Sequence, residues 1–167
     1  MFGFSLTKLL FTVAVIVIIW YGFKWLGRVQ DMRDKEAKER RERIRKEGEA
    51  VYGDREPTAA DYSALAYTRA VIQETMRMYP PIWMLVRVAS KPDVIDGKEI
   101  RVGDKVALFA YGAHHNPKYW EEPESFMPER WLGDAAKKRK PYTYLPFGGG
   151  KRSCIGGAMS QVENTLA

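Results

Sequence analysis

Apolar and charged positions are strongly segregated along this chain and divide it into four segments. Residues 9–23 are apolar apart from Thr12 and end in aromatic residues. Because a bilayer core requires roughly 20 apolar helical residues, we extend this run through its flanks and predict a single transmembrane anchor over residues 1–27. A cleaved signal peptide is the alternative, but no small-residue cleavage site follows the run. The Lys and Arg excess after the span predicts a membrane protein whose C-terminal domain is cytoplasmic.

Two polar segments follow the predicted anchor. Residues 28–47 contain nine basic and six acidic residues, interleaved, with no Pro or Gly. Opposite charges three or four positions apart stabilise a helix, so this segment is predicted to be a solvated helical stalk. Residues 48–63 carry Gly48, Gly53 and Pro57 among small and charged residues. Such breakers are typical of a linker.

Residues 64–167 combine one helical pattern with short β-like runs. The helical pattern covers residues 64–79 and ends at the two prolines that follow. The β-like runs are separated by turns at Gly97 and Gly103, which indicate hairpins. A loop-rich stretch, a glycine-rich loop and the start of a final helix come next. The chain is therefore predicted to be mainly α with a small β-sheet (α+β), plus one transmembrane helix.

Charge and cysteine content narrow the function classes. The net charge of +6 is concentrated in and around residues 1–47. The remaining domain is nearly balanced in charge, so nothing indicates a nucleic-acid partner. Cys154 is the single cysteine, which excludes an intramolecular disulfide and fits a reducing compartment.

The candidate chemistry lies in the loop that carries Cys154. Residues 147–156 read F-G-G-G-K-R-S-C-I-G. Its glycines permit positive φ angles and close approach of a flat ligand, while Arg152 and the following helix start favour a thiolate. A structural cysteine in a tight turn is the alternative interpretation. A cysteine hydrolase with His114 or His115 as the base is another.

These residues resemble the cysteine-ligand loop of the cytochrome P-450 family, F-G-x-G-x-R-x-C-x-G, at every fixed position. Residues 74–77, E-T-M-R, resemble the E-x-x-R motif of that family, and residues 128–131, P-E-R-W, resemble its P-E-R-aromatic segment. The three motifs follow the family's order. The resemblance covers about residues 65–167 and implies a partial fold of this family: the E-x-x-R helix, β-hairpins, a meander, the cysteine-ligand loop and the start of the following helix.

The resemblance implies a heme-thiolate monooxygenase. Its expected partners are O2, a hydrophobic small-molecule substrate and an electron-donating reductase or ferredoxin. Cys154 is expected to be the axial ligand of the heme iron. The other expected heme contacts are Arg152, Arg87, Phe147, Gly148, Gly150 and Gly156. A buried ion-pair triad is expected from Glu74, Arg77 and Arg130. The substrate-pocket candidates are Ile82, Trp83, Met84, Leu85 and Val86.

Members of this family are much longer than this chain. We therefore expect residues 64–167 to form a truncated heme-binding domain that holds the cysteine side of the site without its opposite wall. Weak or absent heme binding and exposed apolar surface should follow, and this fragment is expected to be inactive or incomplete. The alternative function is a single-pass membrane adaptor with a non-catalytic remnant domain.

Two further polar groups leave alternatives open. His114 and His115 are adjacent, and adjacent residues of an extended chain point in opposite directions, so a metal site is not expected there. Residues 137–140 are all basic. They are predicted to be either a docking surface for an acidic electron-transfer partner or a solvated loop.

Overall fold

The chain divides into two compact units, residues 1–46 and 47–167. The computed structural model describes the backbone from residue 6 to residue 167 and the side chains from residue 17 onward. Helix α1, Leu6–Tyr52, makes up the described part of the first unit and continues into the second. Its charged part carries ion pairs one turn apart, such as Glu36–Arg40 at 3.6 Å and Glu42–Arg45 at 2.8 Å. The helical prediction for residues 28–47 therefore agrees with the structure.

The predicted transmembrane anchor begins in residues 1–5, which lie outside the described residues, as do the side chains up to residue 16. Within the part of the chain that the structure describes, no helix combines the length and the apolar character needed to cross a membrane.

The segment predicted to be a linker is largely ordered secondary structure. Helix α1 continues through Gly48 to Tyr52, and Ala59–Ser63 forms a 3-10 turn. Gly48 is buried, and a Cβ there would overlap the ring of Tyr52. Helix α1 therefore continues through Gly48, where the missing side chain leaves room for the ring of Tyr52. Much of this segment is therefore helical, although its breakers suggested irregular backbone. Its role as a linker stays a prediction.

The second unit is built around helix α2, Ala66–Met78, which contacts helix α3, helix α5 and the 3-10 turn at Pro128–Trp131. The helix ends before the two prolines, as predicted. The other helical elements are α3 (Ala110–His114), α4 (Gly133–Lys137), α5 (Gly157–Leu166) and a 3-10 turn at Gly150–Arg152.

The small sheet structure consists of two antiparallel pairs. Strands β2 (Asp93–Ile95) and β3 (Lys98–Ile100) form the hairpin predicted at Gly97. Strand β4 (Lys105–Leu108) does not form a second hairpin with β3 and pairs instead with β1 (Leu85–Val88). The pairing of β1 with β4 forms an outer ladder around the β2–β3 hairpin. The turn at Gly103 extends this outer ladder, because the N–H of Gly103 donates to the carbonyl of Ala89. The predicted mainly α fold with a small β-sheet is confirmed.

The core of the second unit is aromatic. Ala70 of α2 packs with Trp120 and Trp131, and Tyr144 and Leu132 cover this group. The rings of Trp131 and Tyr144 meet at an angle of 61° with centroids 4.5 Å apart, an edge-to-face geometry that stabilises aromatic pairs. This core holds α2 against the loops that follow the sheet.

Glu47 caps the start of α2. Its two carboxylate oxygens accept hydrogen bonds of 2.7 Å from the backbone N–H of Tyr67, the N–H of Thr68 and the hydroxyl of Thr68. The first N–H groups of a helix have no partner within the helix. Leu65, the residue before α2, has no polar side chain that could cap the helix. Glu47 serves as the cap instead.

Candidate functional site

A buried charge cluster forms around Glu74 on α2. Its carboxylate accepts two hydrogen bonds of 2.9 Å from Arg77, one of 3.2 Å from Arg130, one of 2.9 Å from the backbone of Met127 and one of 2.8 Å from the indole of Trp131. Burial opposes ionisation, but these hydrogen bonds outweigh it and lower the pKa of Glu74. The structure therefore brings the predicted triad together, with two further donors that the sequence did not indicate.

Arg77 is as buried as Glu74 and connects α2 with the loop-rich region. Besides pairing with Glu74, its guanidinium donates to the carbonyls of His114, Pro123 and Ser125 at 2.9, 2.8 and 3.2 Å. A buried guanidinium is tolerated only where its donors find acceptors. The cluster therefore has a structural role, as the resemblance implied: it holds α2 against the loop-rich region.

His114 is fully buried beside this charge cluster. Its Nε2 accepts a 2.7 Å hydrogen bond from the N–H of Leu145, which leaves Nδ1 to donate to the carbonyl of Arg77 at 3.2 Å. Burial lowers the pKa of His114 to about 4, with the charges of His115 and Arg77 adding to the effect. The ring is neutral at physiological pH, and both of its nitrogens are engaged by the backbone.

His115 makes different contacts. Its ring stacks on Tyr111 with centroids 4.0 Å apart, and its Nδ1 contacts the carbonyl of the same residue at 3.0 Å. Among the described residues, no group of His, Cys, Asp and Glu side chains could hold a metal ion. A cavity lies beside Cys154, and neither histidine lines it. Neither is therefore placed to act as the base of a cysteine hydrolase.

The cysteine loop is a closed turn that leads into α5. The N–H of Cys154 donates to the carbonyl of Phe147 at 2.9 Å, which closes the loop. Gly148 and Gly150 have φ angles of +74° and +69°, a conformation that other residues rarely adopt. Gly156, the residue directly before α5, differs, with a φ of −82° and no left-handed backbone.

A cavity of about 610 Å³ lies beside the loop. Roughly 300–1,000 Å³ is usual for cavities that hold small molecules and cofactors. Part of its wall comes from the cysteine loop, namely Phe147, Gly148, Arg152 and Cys154. Helices α2 and α5 add Ile72, Thr75, Met76, Ser160 and Asn164. The exposed Cys154 thiol therefore borders a cavity that is partly open to solvent.

Only two of the five substrate-pocket candidates line this cavity. They are Ile82 and Leu85. Trp83 instead contacts Phe109 edge-on with centroids 6.1 Å apart, and both side chains are more than half exposed. Met84 and Val86 are not in the wall. The alternation of side chains along a strand separates Val86 from Leu85.

Three predicted cofactor residues lie outside the cavity wall. Gly150 and Gly156 belong to the loop but do not line the space, and neither does Arg87. The Arg87 guanidinium is exposed and contacts the carbonyl of Val86 at 3.4 Å. Residues two apart on a strand share a face, so Arg87 lies on the same face of β1 as Leu85.

The basic run at residues 137–140 is partly structural. The guanidinium of Arg139 lies 3.6 Å from the centroid of Trp131 and donates to the carbonyl of Arg130 at 3.0 Å. Lys137 pairs with Asp134 at 3.1 Å, with both side chains about four-fifths exposed. Arg139 therefore helps to cover the aromatic core, a contact that the charge pattern alone did not reveal.

Comparisons with known proteins agree with the three sequence motifs. The family model described as Cytochrome P-450 matches residues 35–167. The chain is 40% identical over 124 residues to cyclooctat-9-en-7-ol 5-monooxygenase of Streptomyces melanosporofaciens, which covers 74% of this chain and 27% of that protein. It is 44% identical over 92 residues to thromboxane-A synthase of Mus musculus, covering 55% of this chain and 17% of that protein.

The extent of these matches changes one interpretation. The family match begins at residue 35, inside the segment predicted to be a stalk and thirty residues before the start of the resemblance described above. The C-terminal part of α1, including Glu47, thus lies within the family region. The chain spans about a quarter of the length of its bacterial relative. The matched residues, together with the arrangement of the three motifs, show that this chain belongs to the cytochrome P-450 family.

Proposed function

We propose that this chain forms the cysteine-bearing side of a heme-thiolate monooxygenase site, with Cys154 as the ligand of the heme iron. The observation that carries the proposal is the position of Cys154 in the wall of a cavity of about 610 Å³, together with Phe147 and Arg152. A thiol that served only to fill a turn would need no such space. Relatives of this chain include proteins named as monooxygenases, which supports the same reaction class.

The residues around the cavity fit a heme. Apolar side chains of α2 and β1, among them Ile72, Met76 and Leu85, offer contacts to a flat apolar ring system. Arg152 supplies a guanidinium in the same wall, suited to a carboxylate substituent of the ring. Arg87, on the same face of β1 as Leu85, is the candidate for a second carboxylate.

Each group of this chain would have a separate task in that site. Cys154 would donate its sulfur lone pair, and the hydrogen bond from its N–H to Phe147 would hold the loop in shape. Ile82 and Leu85 would present apolar surface to a hydrophobic substrate. The chemistry that a thiolate-ligated heme supplies is activation of O2 by cleavage of the O–O bond. A reductase or ferredoxin would provide the electrons.

A hemin titration of the purified chain tests the assignment of Cys154. We expect weak binding whose ferrous–CO difference spectrum is of the thiolate type. The Cys154→Ser variant should lose this spectrum, because a hydroxyl does not replace a thiolate as a donor to iron. Ser153→Ala is the matched control and should keep it. Identical spectra for the native chain and Cys154→Ser would contradict the proposal.

We also propose that residues 1–27 anchor the protein to a membrane. Trp20, Tyr21 and Trp25 are exposed on α1, and such aromatic residues favour membrane interfaces. The full chain should co-sediment with lipid vesicles and resist extraction at alkaline pH, whereas a chain that begins at residue 28 should remain in the supernatant. Equal partitioning of the two would contradict the anchor while leaving the heme assignment untouched.

A further inference from the structure

We propose that His114 is a positioning residue that holds the cysteine loop to the buried charge cluster. The inference deepens the proposed heme-thiolate site and rests on it for its meaning, although the contacts themselves do not. His114 does not line the cavity, and it makes no contact with Cys154 that could serve catalysis directly. Its effect on the site would pass through the backbone of the loop.

One end of this connection is the reciprocal contact with Arg77. The guanidinium of Arg77 donates to the carbonyl of His114 at 2.9 Å, and the ring of His114 donates through Nδ1 to the carbonyl of Arg77 at 3.2 Å. Each residue thus holds the other's backbone. Since Arg77 is also paired with the fully buried Glu74, the ring of His114 is attached to the buried charge cluster.

The other end is Leu145. Its N–H donates to Nε2 of His114 at 2.7 Å, and its carbonyl accepts from the N–H of Gly148 at 3.2 Å. Phe147, next in this turn, accepts the closing hydrogen bond from Cys154. These three hydrogen bonds and the short backbone links between them therefore lead from His114 to Cys154.

The geometry also selects the protonation state of the ring. An acceptor is needed at Nε2 and a donor at Nδ1, a combination that only the neutral tautomer with a proton on Nδ1 provides. Tyr144 flanks the ring with centroids 5.3 Å apart. The hydrogen bonds at both ring nitrogens fix the orientation of the ring, and the bond at Nε2 also fixes the position of the Leu145 N–H.

Two variants separate the two hydrogen bonds. His114→Gln can place an oxygen near the position of Nε2 and keep the bond to Leu145. His114→Asn is too short to reach Leu145 but can place an N–H near the position of Nδ1 and keep the bond to Arg77. His115→Asn is the matched control, because its ring contacts Tyr111 and not the loop.

Amide hydrogen exchange of the full chain, measured by NMR without heme, is the decisive experiment. In His114→Asn we expect exchange at Leu145, Gly148 and Cys154 to rise about fivefold, the effect of one lost net hydrogen bond on local opening. Exchange within α2 should stay unchanged. His114→Gln and His115→Asn should both match the native chain.

The proposal is overturned if His114→Asn leaves loop exchange unchanged, or if it raises exchange in α2 and the loop equally, as a general core residue would. Should His114→Asn fail to fold, His114→Gln decides alone: native loop exchange supports the proposal and raised loop exchange overturns it. Failure of the hemin titration with normal exchange results would contradict the heme assignment and not the role of His114.

Discussion

Glu74 shows how a fully buried carboxylate is kept charged in this protein. Three hydrogen bonds reach its Oε1 and two reach its Oε2, and three of the five come from arginine side chains. Removing one member of such a set leaves the remaining charges buried without a partner, which costs more than the pair contributes relative to apolar residues. The cluster is therefore sensitive to conservative changes.

We expect Glu74→Gln to lower the free energy of unfolding by about 3 to 5 kcal/mol, because it leaves the Arg77 guanidinium buried without its counter-charge. Urea denaturation followed by tryptophan fluorescence measures this change. Asp134→Asn is the control, since its pair with Lys137 is exposed and should contribute little. A loss at Glu74 no larger than that of the control would contradict this account.

A second prediction at this scale concerns Gly148 of the cysteine loop. In Gly148→Ala, the alanine would have to keep a φ of +74°, and its Cβ would lie 3.3 Å from Cδ1 of Leu85. Left-handed backbone costs a non-glycine residue about 1 to 2 kcal/mol. Gly97→Ala has nearly the same φ, +73°, with open space around it. Urea denaturation should show a loss for both variants and a larger loss for Gly148→Ala. Equal losses of unfolding free energy would mean that the Leu85 side chain moves aside without a measurable cost.

At the scale of elements, the start of α2 depends on a side chain twenty positions away. We expect Glu47→Ala to lower the free energy of unfolding by about 1 to 2 kcal/mol, the effect of losing a cap. Glu56→Ala is a suitable control, because this side chain is exposed. Amide exchange should rise first at Tyr67 and Thr68 in Glu47→Ala. Unchanged exchange at these two amides would contradict the capping function.

At the scale of the whole molecule, stability should depend on pH through His114. The pKa of His114 is about 4 in the fold, against an ordinary value of 6.5, so unfolding takes up a proton between these values. Stability is full above pH 6.5 and falls as the pH drops toward 4, by about 3 kcal/mol in total. Protonation of Glu74, whose pKa is lowered, adds to the loss at more acid pH.

Urea denaturation at pH 7.5, 6 and 5 measures this dependence. His114→Gln has no titrating ring, so its stability should change much less between pH 7.5 and 5 than that of the native chain. His115→Gln should retain most of the native slope, because burial is the largest cause of the lowered pKa of His114. Parallel pH profiles for the native chain and His114→Gln would contradict the assignment of the slope to His114.

The sequence predicted what is encoded locally. The end of α2 and the hairpin at Gly97 follow from neighbouring positions. The triad of Glu74, Arg77 and Arg130 was implied by two short motifs that resemble those of the family. It did not predict the contacts of His114 with Leu145 or of Glu47 with Tyr67, because these join residues 31 and 20 positions apart. Nor did it predict that helix α1 continues through Gly48, since a glycine inside a helix and one that ends a helix look identical in a sequence.

The nesting of the β2–β3 hairpin between β1 and β4 has a consequence for the order of folding. Val88 and Lys105 are paired at the inner end of the outer ladder. Bringing them together from an open chain would carry the entropy cost of closing the whole intervening loop. Once β2 and β3 have paired, that loop is already shortened. We therefore expect the inner hairpin to form first and to accelerate closure of the ladder that carries Leu85 into the cavity wall.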